Sequence, residues 1–315
     1  MTLKYNEFIK GAAFVSEIGM GAWQLGENSG WKSISEKEAL AMVCTAMELG
    51  VNFFDTAPNY GLGTSELRLG KALKDFDRDK VVINTKFGHS ATGEINFNAK
   101  EIRKSLEGSL KRLKVDYIDS LILHTPPIEY LDGNSNPHYD ILERLIEEGK
   151  IKAFGASLDT YKDMKLFMDT TNGKVIEAFF NILHQDAALA FDQAQEKGIG
   201  VIVKIPLDSG WLSGKYNAES TFHDIRSRWS KMDIITRSNL VAKVKKILHY
   251  ETSLAQSALS FCLAYDAVST VIPGNTSIAQ LKNNLESVHK PLSRDTVKEL
   301  EVFYQNEVKH HQLPW

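Results

Sequence analysis

Four side chains in the first 124 residues have the types needed to move a proton together. Asp55 ends the short apolar run 51–54, and Tyr60 follows it, ahead of Gly61, Gly63 and the helix-start pattern Thr64-Ser65-Glu66. Lys86 comes just after the run in "VVINT", and His124 closes the run in "IDSLILH". A tyrosine holds its proton with an ordinary pKa of about 10. An ammonium beside the phenol stabilises the phenolate and draws that value down. A carboxylate keeps the lysine charged and in place, and an imidazole can hydrogen-bond a substrate oxygen. The set therefore predicts an acid/base tuned toward neutrality. Each residue also has a plainer use: the aspartate as a helix cap or ion-pair partner, the lysine as a solvated charge, the histidine as rim packing.

What would bring them together is the order of elements. Short β-like runs occur at 15–23, 51–55, 81–85, 117–124, 151–157, 175–181, 200–206 and 268–273. Amphipathic stretches lie between them, at 36–49, 66–73, 102–113, 139–148, 162–169, 187–196, 236–248 and 277–285. In 36–49, Leu40, Val43, Cys44 and Met47 recur at helical spacing; in 102–113, Ile102, Leu106, Ser109 and Leu113 do. Eight strand-like runs, each followed by helix, predict a (β/α)₈ TIM barrel. No Pro-rich or Ser-rich linker interrupts the series, so residues 1–315 are expected to form a single domain. In such a barrel the C-terminal strand ends meet on one rim, where active sites form. Asp55, Lys86 and His124 fall at three successive strand ends. Two long connections, 125–137 and 209–235, would sit on that rim as functional loops.

Composition narrows the partners. The chain has 315 residues, 43% apolar and 24% charged, enough for a large core. Its net charge of −3 and pI near 6.3 give no electrostatic case for nucleic acid or an anionic membrane. Cys44 and Cys262 lie far apart without metal-ligand spacing, which predicts two buried thiols in a reducing compartment and no metal site. The N-terminal "MTLKYNEFIKGAAF" lacks a signal-peptide apolar run, and no stretch of about 18 apolar residues suggests a membrane span. A cytoplasmic protein is expected; oligomeric state is not legible.

From about residue 15 to 288 the chain resembles the aldo-keto reductases. The resemblance rests on "VSEIGMGAWQLG", "GVNFFDTAPNYGLGTSELRLGKAL", "TKFG", "SLKRLKVDYIDSLILHTP", "EGKIKAFGAS", "PLDSGWLSGKY" and "VIPGNTSIAQLKNNL", which occur in the family's order. It implies a (β/α)₈ barrel binding NADP(H) across its C-terminal rim, and no G-x-G-x-x-G follows a strand here. It implies hydride transfer between nicotinamide and a carbonyl or alcohol substrate, with Tyr60 as general acid/base, Lys86 lowering its pKa, Asp55 anchoring Lys86 and His124 orienting the carbonyl. It also implies cofactor contacts from Gly21, Trp23, Asp55, Pro206 and Leu207. An alternative from another class is a nicotinamide-binding regulatory subunit with little turnover, since barrels of this family can serve as channel-associated subunits.

The cofactor site departs from the family pattern. Ser157 matches the serine that binds the nicotinamide carboxamide, but the usual Asn after it is Leu158 and the usual Gln is Glu177. Glutamate can accept from the carboxamide nitrogen but cannot donate to its oxygen. The aromatic that often stacks on the nicotinamide aligns with Lys204. Either its charge disfavours the oxidised ring, or it turns to an acidic partner or a substrate anion. Asp208, Ser209, Leu212, Ser213 and Lys215 are expected along the pyrophosphate, or are turn residues only. Gly274, Asn275 and Thr276 precede a helix start able to meet an anion, with Gln280, Asn283 and Asn284 on its inner face. Gly274 and Gln280 stand where many relatives carry Lys and Arg for the 2′-phosphate, so NADP(H) is expected while NAD(H) stays open. Trp23, Phe87, Tyr130, Trp211 and Trp229 either line a substrate pocket or pack loops.

Overall fold

The computed structural model describes residues 2–27, 30–249 and 253–314. Two antiparallel strands come first, β1 (Tyr5–Ile9) and β2 (Ala13–Ser16), joined by a turn in which Gly11 takes φ 70°. They lie outside the barrel wall. Phe8, Ile9, Ala13 and Val15 pack with Phe53 and Val82 from the barrel, the Phe8 and Phe53 rings meeting edge to face at 5.2 Å. The hairpin is tied to strand starts through Tyr5 Oη to the Gly50 carbonyl and Asn6 Nδ2 to the Ser269 carbonyl. It plugs the end where the strands begin, leaving the other rim for a site.

The wall consists of β3 (Met20–Gly21), β4 (Phe53–Asp55), β5 (Val82–Phe87), β6 (Ile118–Leu123), β7 (Ile151–Leu158), β8 (Val175–Phe179), β9 (Gly200–Lys204) and β10 (Val268–Val271). Each pairs in parallel with the next, and parallel bridges Ile18–Val271 and Gly21–Gly274 bring the last back to the first. Helices α1 (Glu36–Glu48), α2 (Thr64–Leu73), α3 (Glu101–Leu113), α4 (His138–Glu147), α5 (Tyr161–Thr170), α6 (Phe191–Glu196), α7 (Lys231–Ile247), α8 (Leu254–Leu263), α9 (Ile278–Leu285) and α10 (Arg294–Phe303) occur along the same chain. Eight parallel strands in a nearly closed barrel, with helices between them, are the (β/α)₈ architecture expected from the sequence.

Local chemistry explains several boundaries. Ser35 accepts from the Glu38 N–H while Glu38 reaches back to the Ser35 N–H, a capping box that starts α1. In α3 the buried face is Ile102, Leu106, Ser109 and Leu113, as the spacing predicts. In α1 the buried face is Ala39, Met42, Val43 and Ala46, with Leu40, Cys44 and Met47 at its edge.

The differences are also informative. The run 15–23 is not one strand: Val15 and Ser16 belong to the hairpin, Met20–Gly21 to the barrel, and Trp23 to a short 3₁₀ turn, Trp23–Leu25. The connection 209–235 holds two 3₁₀ turns, Asp208–Ser213 and Ile225–Arg228, and the start of α7. Helix α8 escapes a periodicity reading because Leu254 to Cys262 are all buried, leaving no polar face to set a period. Among the described residues, no helix is long and apolar enough to cross a membrane.

Candidate active site

Because side chains alternate along a strand, residues two apart share the barrel interior. Asn84 and Lys86 do so on β5, and Ser120 on β6 lies in register with Asn84. Asn84 Nδ2 donates to Asp55 Oδ1 at 2.7 Å, and Ser120 Oγ donates to Asn84 Oδ1 at 2.5 Å. Lys86 Nζ donates to the same Asp55 oxygen at 2.5 Å and to the Thr56 carbonyl at 3.1 Å. Its ammonium lies 5.1 Å from the Tyr60 ring centre, and the His124 ring meets Tyr60 edge-on at 5.7 Å. Tyr60 is stacked on Trp23 at 5.6 Å. The structure thus brings Asp55, Tyr60, Lys86 and His124 together on one rim.

Two residues here, Asp159 and His89, were not foreseen, and Glu177 takes a contact not expected of it. Glu177, ending up beside Ser157 across the β7–β8 register, places Oε2 3.1 Å from Lys86 Nζ. Its Oε1 accepts from Ser157 Oγ at 3.1 Å, and Lys204 Nζ donates to that hydroxyl at 2.9 Å. Lys204 in turn pairs with Asp159 at 2.7 Å. Lys204 therefore turns to an acidic partner, one of the alternatives its position left open. Glu177 is also not a free carboxamide acceptor: with 2% of its surface exposed, its oxygens face Lys86 and Ser157. His89, just beyond β5, lies 4.6 Å from His124 ring to ring. The sequence signal for Asp159 was its place one residue past Leu158; for His89, its place three residues past Lys86.

Burial and charge fix the protonation pattern. Burial and the nearby Glu177 raise the Asp55 carboxyl to about 7, against the pull of Lys86. Burial works against charge on Glu177 too, but Lys86 and Lys204 hold it below its ordinary value. Burial also opposes the Lys86 ammonium, and Asp55 and Glu177 outweigh it, so Lys86 stays charged. For Tyr60, Lys86 pulls the phenol down in the expected direction, but other effects are larger. Burial, with Asp55 and Glu177, outweighs the lysine and raises the phenol above its usual value. Burial is the largest effect; Lys86 still pulls the phenol down, more strongly than either carboxylate alone pushes it up. Burial, helped by Lys86, His89 and Lys204, holds His124 well below the usual imidazole range. At neutral pH it is an uncharged imidazole.

Residues 17–305 match the model of the aldo/keto reductase family. The chain belongs to the aldo-keto reductase family. It is 31% identical to L-galactose dehydrogenase of Arabidopsis thaliana, over 92% of this chain and 91% of that protein. It is 26% identical to the NADH-specific methylglyoxal reductase of Escherichia coli, over 89% and 91%. The holo form of aldo-keto reductase AKR11C1 from Bacillus halodurans superposes with a TM-score of 0.82 at 27% identity, covering 99% of this chain and all of that one. This aldo-keto reductase is accordingly an NAD(P)H-dependent oxidoreductase acting on small molecules.

The other expected cofactor residues divide by geometry. Gly21 and Gly274 face each other at the closing bridge, and Trp23 covers Tyr60. Asn275 is buried, bonded to the Pro273 carbonyl and to Asn284 Nδ2. Gln280 folds back, its Oε1 accepting from Thr276 N and Oγ1, both at 2.9 Å. Asn283 does not share an inner face with Asn284: it is exposed and meets Gln256 of α8. Pro206 is buried, Leu207 half-buried, and Lys215 exposed. Asp208 does not offer its carboxylate outward. It is fully buried, 3.1 Å from Arg237 Nε and 3.3 Å from His184 Nε2. Leu212 is core, and Ser213 Oγ donates to the Gly210 carbonyl within its own turn. Trp211 and Trp229 pack loops rather than line a pocket, joining Phe222 in an aromatic cluster, and Phe87 is buried against Phe97 and His138.

The rim nevertheless has groups suited to a nicotinamide cofactor. Ile205, Asp208 and Ser209 all adopt left-handed backbone, a strain that persists where a loop is held for a purpose. Ser209 Oγ and Trp31 Nε1 are buried without a partner among the described residues, as is Nδ1 of His124. Unpartnered polar atoms of this kind fit a polar ligand.

Proposed function

We propose that this aldo-keto reductase is an NADP(H)-dependent carbonyl reductase or alcohol dehydrogenase for an aldehyde, ketone or sugar, with Tyr60 as its general acid/base. The observation that carries this reading is the placement of Tyr60 against Lys86, itself 2.5 Å from Asp55, with His124 on the ring's edge. When bound, the nicotinamide supplies or accepts the hydride at the carbonyl carbon. Tyr60 gives its proton to the carbonyl oxygen as negative charge develops there. The raised proton affinity of Tyr60 keeps the phenol in the form that reduction consumes. Lys86 stabilises the phenolate left behind, and Asp55, fixed by Asn84, anchors Lys86. Neutral His124 donates a hydrogen bond that orients the oxygen. Ser157, Gly21, Trp23 and the Ile205–Gly210 turn, with its unpartnered Ser209 hydroxyl, would hold the cofactor along the rim. The names of two relatives, a sugar dehydrogenase and a methylglyoxal reductase, support a small polar carbonyl or alcohol as substrate.

The test is a screen of NADPH and NADH oxidation, read by absorbance, against aldehydes, ketones and sugars. Turnover of at least one carbonyl is expected. Tight cofactor binding with no turnover of any class would favour a regulatory subunit instead.

A further inference from the structure

The buried charges beneath Tyr60 form one continuous path rather than a pair. Asp55 and Glu177 both face the Lys86 ammonium, at 2.5 and 3.1 Å. From Glu177 the path runs through Ser157 Oγ to Lys204, and from Lys204 to Asp159. The donors are consistent along it: Lys204 donates to Ser157, and Ser157 donates to Glu177. Lys86 is wholly buried, and Asp55, Glu177, Ser157 and Lys204 are each at most 6% exposed; Asp159 reaches the solvent. Three carboxylates thus face two ammonium groups, with the surplus negative charge deep in the barrel. An uncompensated buried charge is costly. Of the two carboxyls around Lys86, Asp55 is the one whose proton affinity burial and the neighbouring carboxylate raise.

This arrangement has a consequence for the acid/base. A lysine flanked by a single carboxylate would keep part of its field for the phenol above it. Here a second carboxylate adds a negative field of its own, which opposes the lysine's at the phenol. We propose that Glu177 is a positioning residue for the reaction: by sharing Lys86 with Asp55, and being itself braced by Lys204 through Ser157, it sets the pH at which Tyr60 parts with its proton. The inference rests on the reading of Tyr60 as the general acid/base. The charged and titratable groups around Glu177 are Asp55 from β4, Lys86 from β5, Asp159 beyond β7 and Lys204 from β9, with Tyr60 and His124 above.

The experiment measures kcat/KM for NADPH-dependent reduction of para-nitrobenzaldehyde as a function of pH. The reduction falls off on the alkaline side as Tyr60 loses its proton. In Glu177→Gln that limb should move about one unit to lower pH, because one nearby negative charge is gone. In Lys204→Met, which removes a positive charge from the far side of Ser157, it should move to higher pH. Glu177→Asp should return the limb toward its wild-type position. Opposite shifts from opposite charges are not produced by loosened packing, and Lys204→Met keeps the test open if Glu177→Gln fails to fold. Limbs that stay within a few tenths of a unit in these variants would overturn the inference. An alkaline limb that persists unchanged in Tyr60→Phe would instead overturn the assignment of Tyr60 itself. NADPH affinity, followed by fluorescence, should change far less than the limb; a limb shift fully accounted for by altered cofactor binding would count against Glu177.

Discussion

Lys204 and Asp159 are joined at 2.7 Å across the ends of β9 and β7, with Ser157 Oγ 2.9 Å from the same ammonium. The Lys204 ammonium is thereby neutralised by this chain's own residues. Its charge is spent on bracing Glu177 rather than presented to a ligand. The site is built as an ion network in which carbonyl chemistry would occur above Lys86.

Tyr60→Phe should leave cofactor affinity near wild type and lower carbonyl reduction by at least ~100-fold, the scale of a lost general acid. Tyr60 is the phenol against Lys86 and His124. Steady-state kinetics on any accepted carbonyl decide it, and equal turnover numbers would sink the assignment.

Discrimination between the two cofactors should be modest. Gln280 is occupied by Thr276, and Arg226 is held by Asp224 and lies over Tyr216. A charge-assisted contact contributes ~1.5–3 kcal/mol, so a site without a dedicated cation should favour NADPH by only ~10-fold, against ~1,000-fold with one. Gln280→Arg should tighten NADPH and leave NADH nearly unchanged in fluorescence titrations. A wild-type preference above a thousandfold would mean that a cation reaches the 2′-phosphate from elsewhere.

Asp55 makes stability depend on pH in a defined direction. Its carboxyl titrates at about 7 in the fold and at its ordinary 3.8 when unfolded, so between those values the folded chain holds a proton the unfolded chain has released. Stability therefore falls as pH rises through that window. Asp55→Asn removes this contribution, and its Tm should drop less than the wild type's between about pH 5 and about pH 8. Identical pH dependence in the two proteins would refute it.

Arg237→Met should destabilise the fold by about 3–5 kcal/mol, because it takes from the buried Asp208 its ion-pair partner at 3.1 Å. It also removes the bond from Arg237 Nη2 to the Pro314 carbonyl. Urea unfolding gives the value. A loss below about 1 kcal/mol would show that the remaining neighbours, His184 and Arg228, can carry the charge.

The sequence by itself determined the barrel and the gathering of the four rim residues. Apolar runs alternating with helical periodicity dictate parallel strands and crossover helices, and parallel strands put Asp55, Lys86 and His124 at one end. Spacing also marked the face of α3. It could not locate the hairpin Tyr5–Ser16 as a plug, since whether an edge pair joins the wall or caps it depends on what the barrel interior lacks. It could not show α8, whose burial on every side erases its period. Nor could it decide what Glu177 and Lys204 do. Asp55, Lys86, Glu177 and Lys204 are separated by 31, 91 and 27 residues, and only closure of the wall sets them within ion-pair range. The proton affinity of Tyr60 follows from that closure: residue type sets its ordinary value, while burial and the shared lysine set the value it takes in the fold.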